Sequence, residues 1–296
     1  MSRARDFADL GSSVDAGGLT GRNLFINGAM QVAQRGTSST ASGMNTVDRF
    51  EVTFSGMNQL AATQSQSTTV PSGQGFSNSL KVEVTTAENT LAITELFRII
   101  QRIEAQNLQH LAFGSSSAKP LTLSFWVRSS LAGKYSVLFF RGDASPSRSN
   151  TPSYTINAAD TWEYKTITID GDTTGGVIDN DNGQGLNITW TLAAGSAYSG
   201  NPHTGWGNYS ATQDFSHSDQ VNFAAQTGTF YLTGVQLEVG ETPTPFEHES
   251  HGTTLAKCLR FYNRLGLFFA RVRQENVSSQ NPDFVTTITF PPMRDA

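Results

Sequence analysis

Hydrophobic and polar residues alternate with a period of two through much of the chain. In residues 120–128 (PLTLSFWVR), Leu121, Leu123, Phe125 and Val127 fall on one side, and Thr122, Ser124, Trp126 and Arg128 on the other. That is the pattern of a strand with one buried face. Runs at 47–54 (VDRFEVTF), 79–86 (SLKVEVTT), 135–140 (YSVLFF), 162–169 (WEYKTITI) and 229–238 (TFYLTGVQLE) predict further strands. Turn formers separate them, with Ala-Gly-Lys at 132–134, Asp-Gly-Asp at 170–172 and Gln-Thr-Gly at 226–228. Residues 95–111 (ELFRIIQRIEAQNLQHL) can be read as a helix, but the pattern favours a strand that runs into a short helix at 104–111. Many short strands punctuated by Gly, Asn, Asp and Ser predict an all-β sandwich or barrel.

The ends read differently. Residues 1–10 hold one or two helical turns, with Phe7 and Leu10 on one face, and 11–22 (GSSVDAGGLTGR) form a Gly- and Ser-rich linker. After a Pro-punctuated stretch at 241–247 (ETPTPFE), residues 253–264 carry a helical pattern through Leu255, Leu259 and Tyr262. Residues 266–274 and 284–290 read as strands, the beginning of a second β-module at 266–296. The expected organisation is a segment at 1–22, a β-domain at 23–247, a linker and helix at 248–265, and that module.

Composition narrows the classes. Charged residues are 15% of the chain, against roughly 25% in ordinary soluble domains. The net charge of −5, with scattered basic residues, excludes nucleic acid as an expected partner. No apolar stretch reaches the ~20 residues of a membrane span, so membrane insertion is not expected, and the N-terminus lacks the apolar core of a signal peptide. Cys258 is the single cysteine. It excludes a disulfide within the chain and a cysteine-based zinc site, and reads as a small buried hydrophobe.

Three stretches resemble one family. Asn23-Leu-Phe-Ile-Asn-Gly-Ala-Met-Gln-Val-Ala-Gln-Arg-Gly36, followed by Val47-Asp48-Arg49-Phe50, resembles the opening of many tailed-phage virion proteins. Residues 119–130 (KPLTLSFWVRSS) and 161–171 (TWEYKTITIDG) resemble the central strands of that family and of carbohydrate-binding-module jelly rolls. Residues 233–247 (TGVQLEVGETPTPFE), then 255–262 (LAKCLRFY), resemble its closing signature, with Phe261-Tyr262 where Tyr-Tyr is usual. The resemblance covers roughly residues 1–262 with its order preserved. It implies a two-sheet antiparallel jelly-roll sandwich in a phage structural subunit, a tail fibre, head fibre or other virion component. It further implies attachment through the N-terminal segment to tail, portal or capsid proteins, a distal surface that meets the host, and a homotrimer. Arg3, Arg5 and Phe7 are then the anchor candidates. Leu255, Leu259 and Tyr262 are the trimer-interface candidates. The expected location is the virion, after synthesis in the host cytoplasm.

Enzymatic motifs are not found. The sequence has no Gly-x-Ser-x-Gly elbow, no His-Glu-x-x-His and no phosphate loop. His248 and His251, three apart, read as solvated linker residues. The leading reading is a non-enzymatic fibre that contributes to recognition of host-surface glycan. The alternative is a capsid decoration or purely structural component, and a polysaccharide depolymerase, which needs two carboxylates across a sugar cleft, comes last. The glycan candidates are Tyr198, His203, Trp206 and Tyr209 in the polar loop 195–217, because aromatic rings stack on the apolar face of a pyranose. Against this, Trp206 can instead fold back to cap the sandwich or pack between subunits. Trp126, Trp162 and Trp190 read as core or inter-subunit packing. Asp170, Asp172, Asp179 and Asp181, among glycines at 170–183, are candidates for a structural Ca²⁺, or ordinary turn formers. No other cofactor is expected. Arg141-Gly142-Asp143 reads as a turn.

Overall fold

The computed structural model describes residues 21–212 and 214–263. Its strands are β1 (Ser38–Ser39), β2 (Glu51–Ser55), β3 (Ala61–Ser67), β4 (Ser79–Thr86), β5 (Leu96–Glu104), β6 (Leu121–Ser129), β7 (Gly133–Arg141) and β8 (Arg148–Asn150). They continue as β9 (Ser153–Ile156), β10 (Glu163–Ile169), β11 (Gln184–Ala194), β12 (Ser199–Gly200), β13 (Gly207–Asn208), β14 (Ser216–His217) and β15 (Gly228–Val239). One sheet runs β1-β3-β4-β15-β6-β10, and the second runs β13-β8-β7-β11-β5-β2 with β9 also on β7. The pairings within both sheets are antiparallel. Neighbours such as β4 and β15, or β5 and β11, lie far apart in the chain, as in a jelly roll. The fold is the two-sheet antiparallel jelly-roll sandwich expected from the sequence.

The alternation in β6 explains the layering. Leu121, Leu123, Phe125 and Val127 are fully buried and share one core with Leu186, Ile188, Trp190 and Leu192 of β11. Trp190 sits at its centre, 5.8 Å from Phe125 and 5.9 Å from Phe25 between ring centres. Burying each such side chain is worth about 1.5–3 kcal/mol. A one-residue slip would exchange this set for Thr122, Ser124, Trp126 and Arg128, so the pattern pins the register.

The opening segment lies along β15. Asn23 Nδ2 donates to the Val235 carbonyl (3.0 Å), and Asn23 Oδ1 accepts from the Leu237 amide (3.1 Å). The Leu24 amide donates to the Leu237 carbonyl (2.8 Å), and the Val235 amide to Gly28 (3.0 Å). A Cβ on Gly28 would sit 2.0 Å from the Val235 oxygen, so the approach requires glycine. Asn27, at φ 64, donates to the carbonyls of Val32 and Asp48, both at 2.9 Å. The exit segment fastens onto the same patch. Glu238 accepts from the Thr244 amide (2.8 Å) and hydroxyl (2.6 Å), Gln236 Oε1 from the Glu247 amide (2.8 Å), and Glu247 from the amides of Gly21 and Asn23.

Helix α1 (His251–Leu259) follows, capped by Ser250, whose hydroxyl accepts from the Thr253 amide at 3.2 Å. It starts two residues before the expected pattern and ends five earlier. Beyond it, Arg260 donates twice to Glu104, both at 3.1 Å. Arg49 lies 3.5 Å over the Phe261 ring and Arg35 3.7 Å over Tyr262. Tyr262 is thus engaged inside its own chain, while Leu255 and Leu259 are half-buried. Cys258 is buried, as expected; burial pushes its thiol up to about 12, with the Asp48 carboxylate adding to the shift.

Some expectations shift. The strand expected at 47–54 begins at Glu51, because Asp48 is tied to Gln34 and Arg49 takes φ 74. Strand β3 (AATQSQS) has too little apolar character to be read from sequence. It holds because it pairs with β4 and because buried Gln64 donates to Ala41 (2.7 Å) and Gly43 (3.0 Å). Residues 95–111 form a strand and then a 3-10 helix at Ala105–Leu111, the favoured reading. Arg3, Arg5 and Phe7, and the β-module at 266–296, lie outside the described residues.

A buried ion cluster closes one end of the sandwich. Arg141, the last residue of β7, is 0% exposed, so the Arg141-Gly142-Asp143 turn hides its arginine. The guanidinium donates to Asp172 and to the carbonyls of Thr174 (3.0 Å) and Gly176 (2.7 Å), and Arg148 reaches the same carboxylate at 3.2 Å. Burial works to raise the Asp172 carboxyl, but bonds from Arg148 and Arg141 outweigh it and hold it below the usual carboxylate range. A depressed carboxylate contributes stability that is complete above its unfolded value, about pH 4, and is lost as pH falls through the folded value. Asp172→Asn, which strands a buried cation, is expected to cost about 3–5 kcal/mol in urea unfolding. It should also flatten the acid limb of the stability–pH curve below about pH 4.

Candidate functional site

Residues 195–217 do not stand away from the sandwich; they form a flap over the outer face of the second sheet. Polar contacts hold the flap down. Thr191 Oγ1 donates to the Phe215 carbonyl (2.7 Å), the His217 amide to Ser136 Oγ (3.1 Å), and Gln220 to the Thr191 carbonyl (2.9 Å). Asp214, 2% exposed, accepts from the Ser149 hydroxyl (2.8 Å) and the Ser210 amide, and its carbonyl accepts from Thr151 (2.7 Å). Beneath it Phe215, Leu96 and Leu138 form a small second core, with Phe140, Tyr198 and Tyr209 packed around it.

The four glycan candidates therefore part company. Tyr198 and Tyr209 pack edge-on to Phe215, at 5.5 and 6.3 Å, and border a cup with Arg98 of β5. Trp206 turns the other way. Its indole Nε1 donates to the Asp170 carbonyl (2.7 Å) and its ring meets Phe113 edge-on at 5.7 Å. It caps the sandwich, one of the two readings left open by the sequence. The exposed His203 has Nε2 3.2 Å from the Asn208 carbonyl.

The aspartates of 170–183 are not brought together as a calcium set. Asp172 is committed to Arg141 and Arg148, and Asp181 accepts from the Gly183 amide at 2.8 Å. Asp170 and Asp179 are exposed, with their carbonyls taking Trp206 and Gln109. Among the described residues no group of three or more His, Cys, Asp or Glu side chains is placed to hold a metal. The physical reason is that two arginines take the most buried of these carboxylates.

A different surface gathers the aromatic groups. On the outer face of the first sheet, a groove of about 650 Å³ is lined by Phe76, Trp126, Tyr164, Phe246 and His248, with Ser124 and Gly234 among the lining residues. Its volume lies in the range of about 300–1,000 Å³ usual for small-molecule sites. Trp126 and Tyr164 are 5.4 Å apart at 45°. Phe76 meets Phe246 at 5.0 Å and His248 at 5.2 Å, and those two rings are 4.9 Å apart. Tyr164 is 43% exposed, large for an aromatic ring that has no solvent-facing role. The lining also includes Gln74, Thr244 and two prolines, but, among the described residues, no Asp, Glu, Lys or Arg. Such a surface can stack on the apolar face of a neutral sugar ring, with Ser124, Gln74 and the Tyr164 hydroxyl as hydrogen-bonding groups.

Trp126 departs from the core part of its expectation: it is half-buried and borders an open groove on the outer face. Trp190 is in the core as expected, and Trp162 packs at 5.9 Å on Tyr231. The signal for Trp126 was present, since it occupies the polar side of an alternating strand. Phe76, Tyr164 and Phe246 carried no local signal, because three separated segments bring them together.

No protein-family model matches the chain, and no curated protein matches it. Among solved structures it is similar to the enzymatically active domain of tailspike protein 4 of bacteriophage CBA120. That likeness has 10% identity and a TM-score of 0.41, over 74% of this chain and 21% of the tailspike chain. It is also similar to the family 11 carbohydrate-binding module of the Clostridium thermocellum cellulase Lic26A-Cel5E, at 11% identity and a TM-score of 0.34, over 69% of this chain and 95% of that one. The N-terminal cellulose-binding domain of Cellulomonas fimi β-1,4-glucanase C matches at 11% identity and a TM-score of 0.33, over 72% and 100%. At such identities the likeness extends to the fold and no further.

Trp206→Ala removes the ring that packs on Phe113. It is expected to lower unfolding stability by about 2–3 kcal/mol, less than the ~3–5 of a fully buried ring, in chemical denaturation.

Proposed function

We propose that the chain is a non-enzymatic fibre subunit of a tailed-phage particle whose sandwich contributes to recognition of host-surface glycan. The observation that carries the glycan reading is the uncharged groove with Trp126 and Tyr164 on one side and Phe76, Phe246 and His248 on the other. Among the described residues its lining holds no carboxylate, and glycoside hydrolysis ordinarily needs two, which favours binding over cleavage.

The phage reading is supported by the sequence resemblance. Asn23, Asn27, Gly28, Gln236, Glu238, Thr244, Glu247, Arg260 and Phe261, which stand in the resembling stretches, bond or pack within one latch. In this proposal the segment 1–22, with Arg3, Arg5 and Phe7, attaches to other virion proteins, and Leu255 and Leu259 of α1 contribute to a homotrimer.

Two measurements test the reading. Trp126→Ala in the full chain is expected to weaken binding of neutral hexose oligosaccharides by about tenfold, the scale of losing one stacked ring, with the thermal transition little changed. Electron microscopy of the particle should find the subunit at a tail or portal position with the groove facing outward. Hundreds of copies across the capsid, with the groove against a neighbour, would replace the fibre reading with decoration.

A further inference from the structure

The cup beside the flap differs from the groove in one respect: it holds a cation. Arg98 lies on β5 between Thr53 of β2 and Thr191 of β11, on the outer face of the second sheet. Its Nε donates to Thr53 Oγ1 at 3.2 Å, and the guanidinium carbon lies 5.1 Å from the centre of the Phe215 ring. Tyr198 and Tyr209 rise on the flap side, and Ser55, Leu96 and Ala211 complete a cavity of about 220 Å³. That is below the ~300 Å³ of a drug-sized site and suits a single sugar ring.

The charge balance of the cup is incomplete. Glu51, the acidic residue of β2, is paired with Arg102. Asp214 behind Phe215 is spent on Ser149 and Ser210. Among the described residues no carboxylate lines the cavity, and none forms an ion pair with Arg98. Burial lowers the proton affinity of Arg98 and the neighbouring Arg102 adds to that, while Glu51, which is already paired with Arg102, works the other way. An arginine remains charged regardless, so the fold keeps a half-buried positive charge open to solvent.

We propose that this cup binds the carboxylate of an acidic sugar, a uronic or sialic-type residue, with Arg98 taking the carboxylate and the two tyrosines the ring. A planar carboxylate matches the guanidinium fork bidentately, and a neutral hydroxyl does not. The tyrosine rings offer apolar area for the pyranose face and hydroxyls for its polar edge. This rests on the glycan reading and deepens it, because the host polysaccharide would then carry acidic as well as neutral residues.

The experiment titrates methyl glucuronide, N-acetylneuraminic acid and methyl glucoside into the full chain, followed by NMR. The two acids should bind and methyl glucoside should not perturb the cup. Arg98→Gln should weaken acid binding by about tenfold to a hundredfold, the value of a hydrogen bond to a charged group. Tyr209→Phe, which keeps the ring, should weaken it less, and Trp126→Ala should leave it unchanged. If Arg98→Gln fails to fold, Arg98→Lys serves, and should still lose the acids through loss of the fork. Acid binding that survives Arg98→Gln or Arg98→Lys overturns the proposal. So does equal binding of glucuronide and glucoside at the cup, or a change in oligomeric state on Arg98→Gln without any acid binding. Neutral sugars bound at the groove with no acid at the cup would end this inference and leave the glycan reading standing. No sugar at either surface would end both.

Discussion

The bulge in β15 is the constraint on which the rest of the domain turns. Between Thr233 and Gln236 the ladder with β6 shifts register, and Gly234 takes φ 60, a conformation that favours glycine. A bulge in a central strand leaves backbone groups without ladder partners, and buried backbone groups must find others. Here the opening segment supplies them: Gly28 and Asn23 meet the Val235 amide and carbonyl. The same bulge shapes the other side of the sheet. A Cβ on Gly234 would come within 2.6 Å of the Phe76 ring and 3.1 Å of Trp126, so the missing side chain is what lets those rings converge. Latch and groove are two faces of one local irregularity.

The two outer faces differ in chemistry for a reason visible in their strands. The first sheet presents Ser124, Trp126 and Tyr164 outward and is crossed by the proline-rich exit. The second presents arginines on β5 and is covered by a flap that brings its own rings. Neither flap nor exit segment is a free loop: each is bonded down through side chains such as Asp214 and Glu238. Preorganised surfaces lose less entropy on binding than loops that must be ordered.

Legibility in the sequence followed the physics of burial. Strand β4 spans the expected residues, and β6, β7, β10 and β15 lie within a few residues of theirs, because their inward faces are apolar and regular. Strand β3 escaped because hydrogen bonds from Gln64 hold it as much as apolar packing does. The flap read only as a polar loop because the groups that fasten it are Ser, Thr and Asp, residues equally at home in solvent. Asp172 read as a calcium ligand because its partner Arg141 lies 31 residues away, and no local pattern joins them. Trp126 was the clearest missed sign, an aromatic ring on the polar side of a strand.

The latch also settles how the domain can carry load. Gly21 and Phe261 line the same cavity of about 400 Å³, and Gly21 is bonded to Glu247 while Tyr262 is bonded to Gln34. The two places where the described chain enters and leaves are therefore side by side at one pole. Tension applied along the polypeptide would pass across that pole, through a few ion pairs and backbone bonds, and would not shear the sheets. On the proposed fibre reading the sandwich hangs as a pendant and not a link, with its two outer faces mechanically at rest.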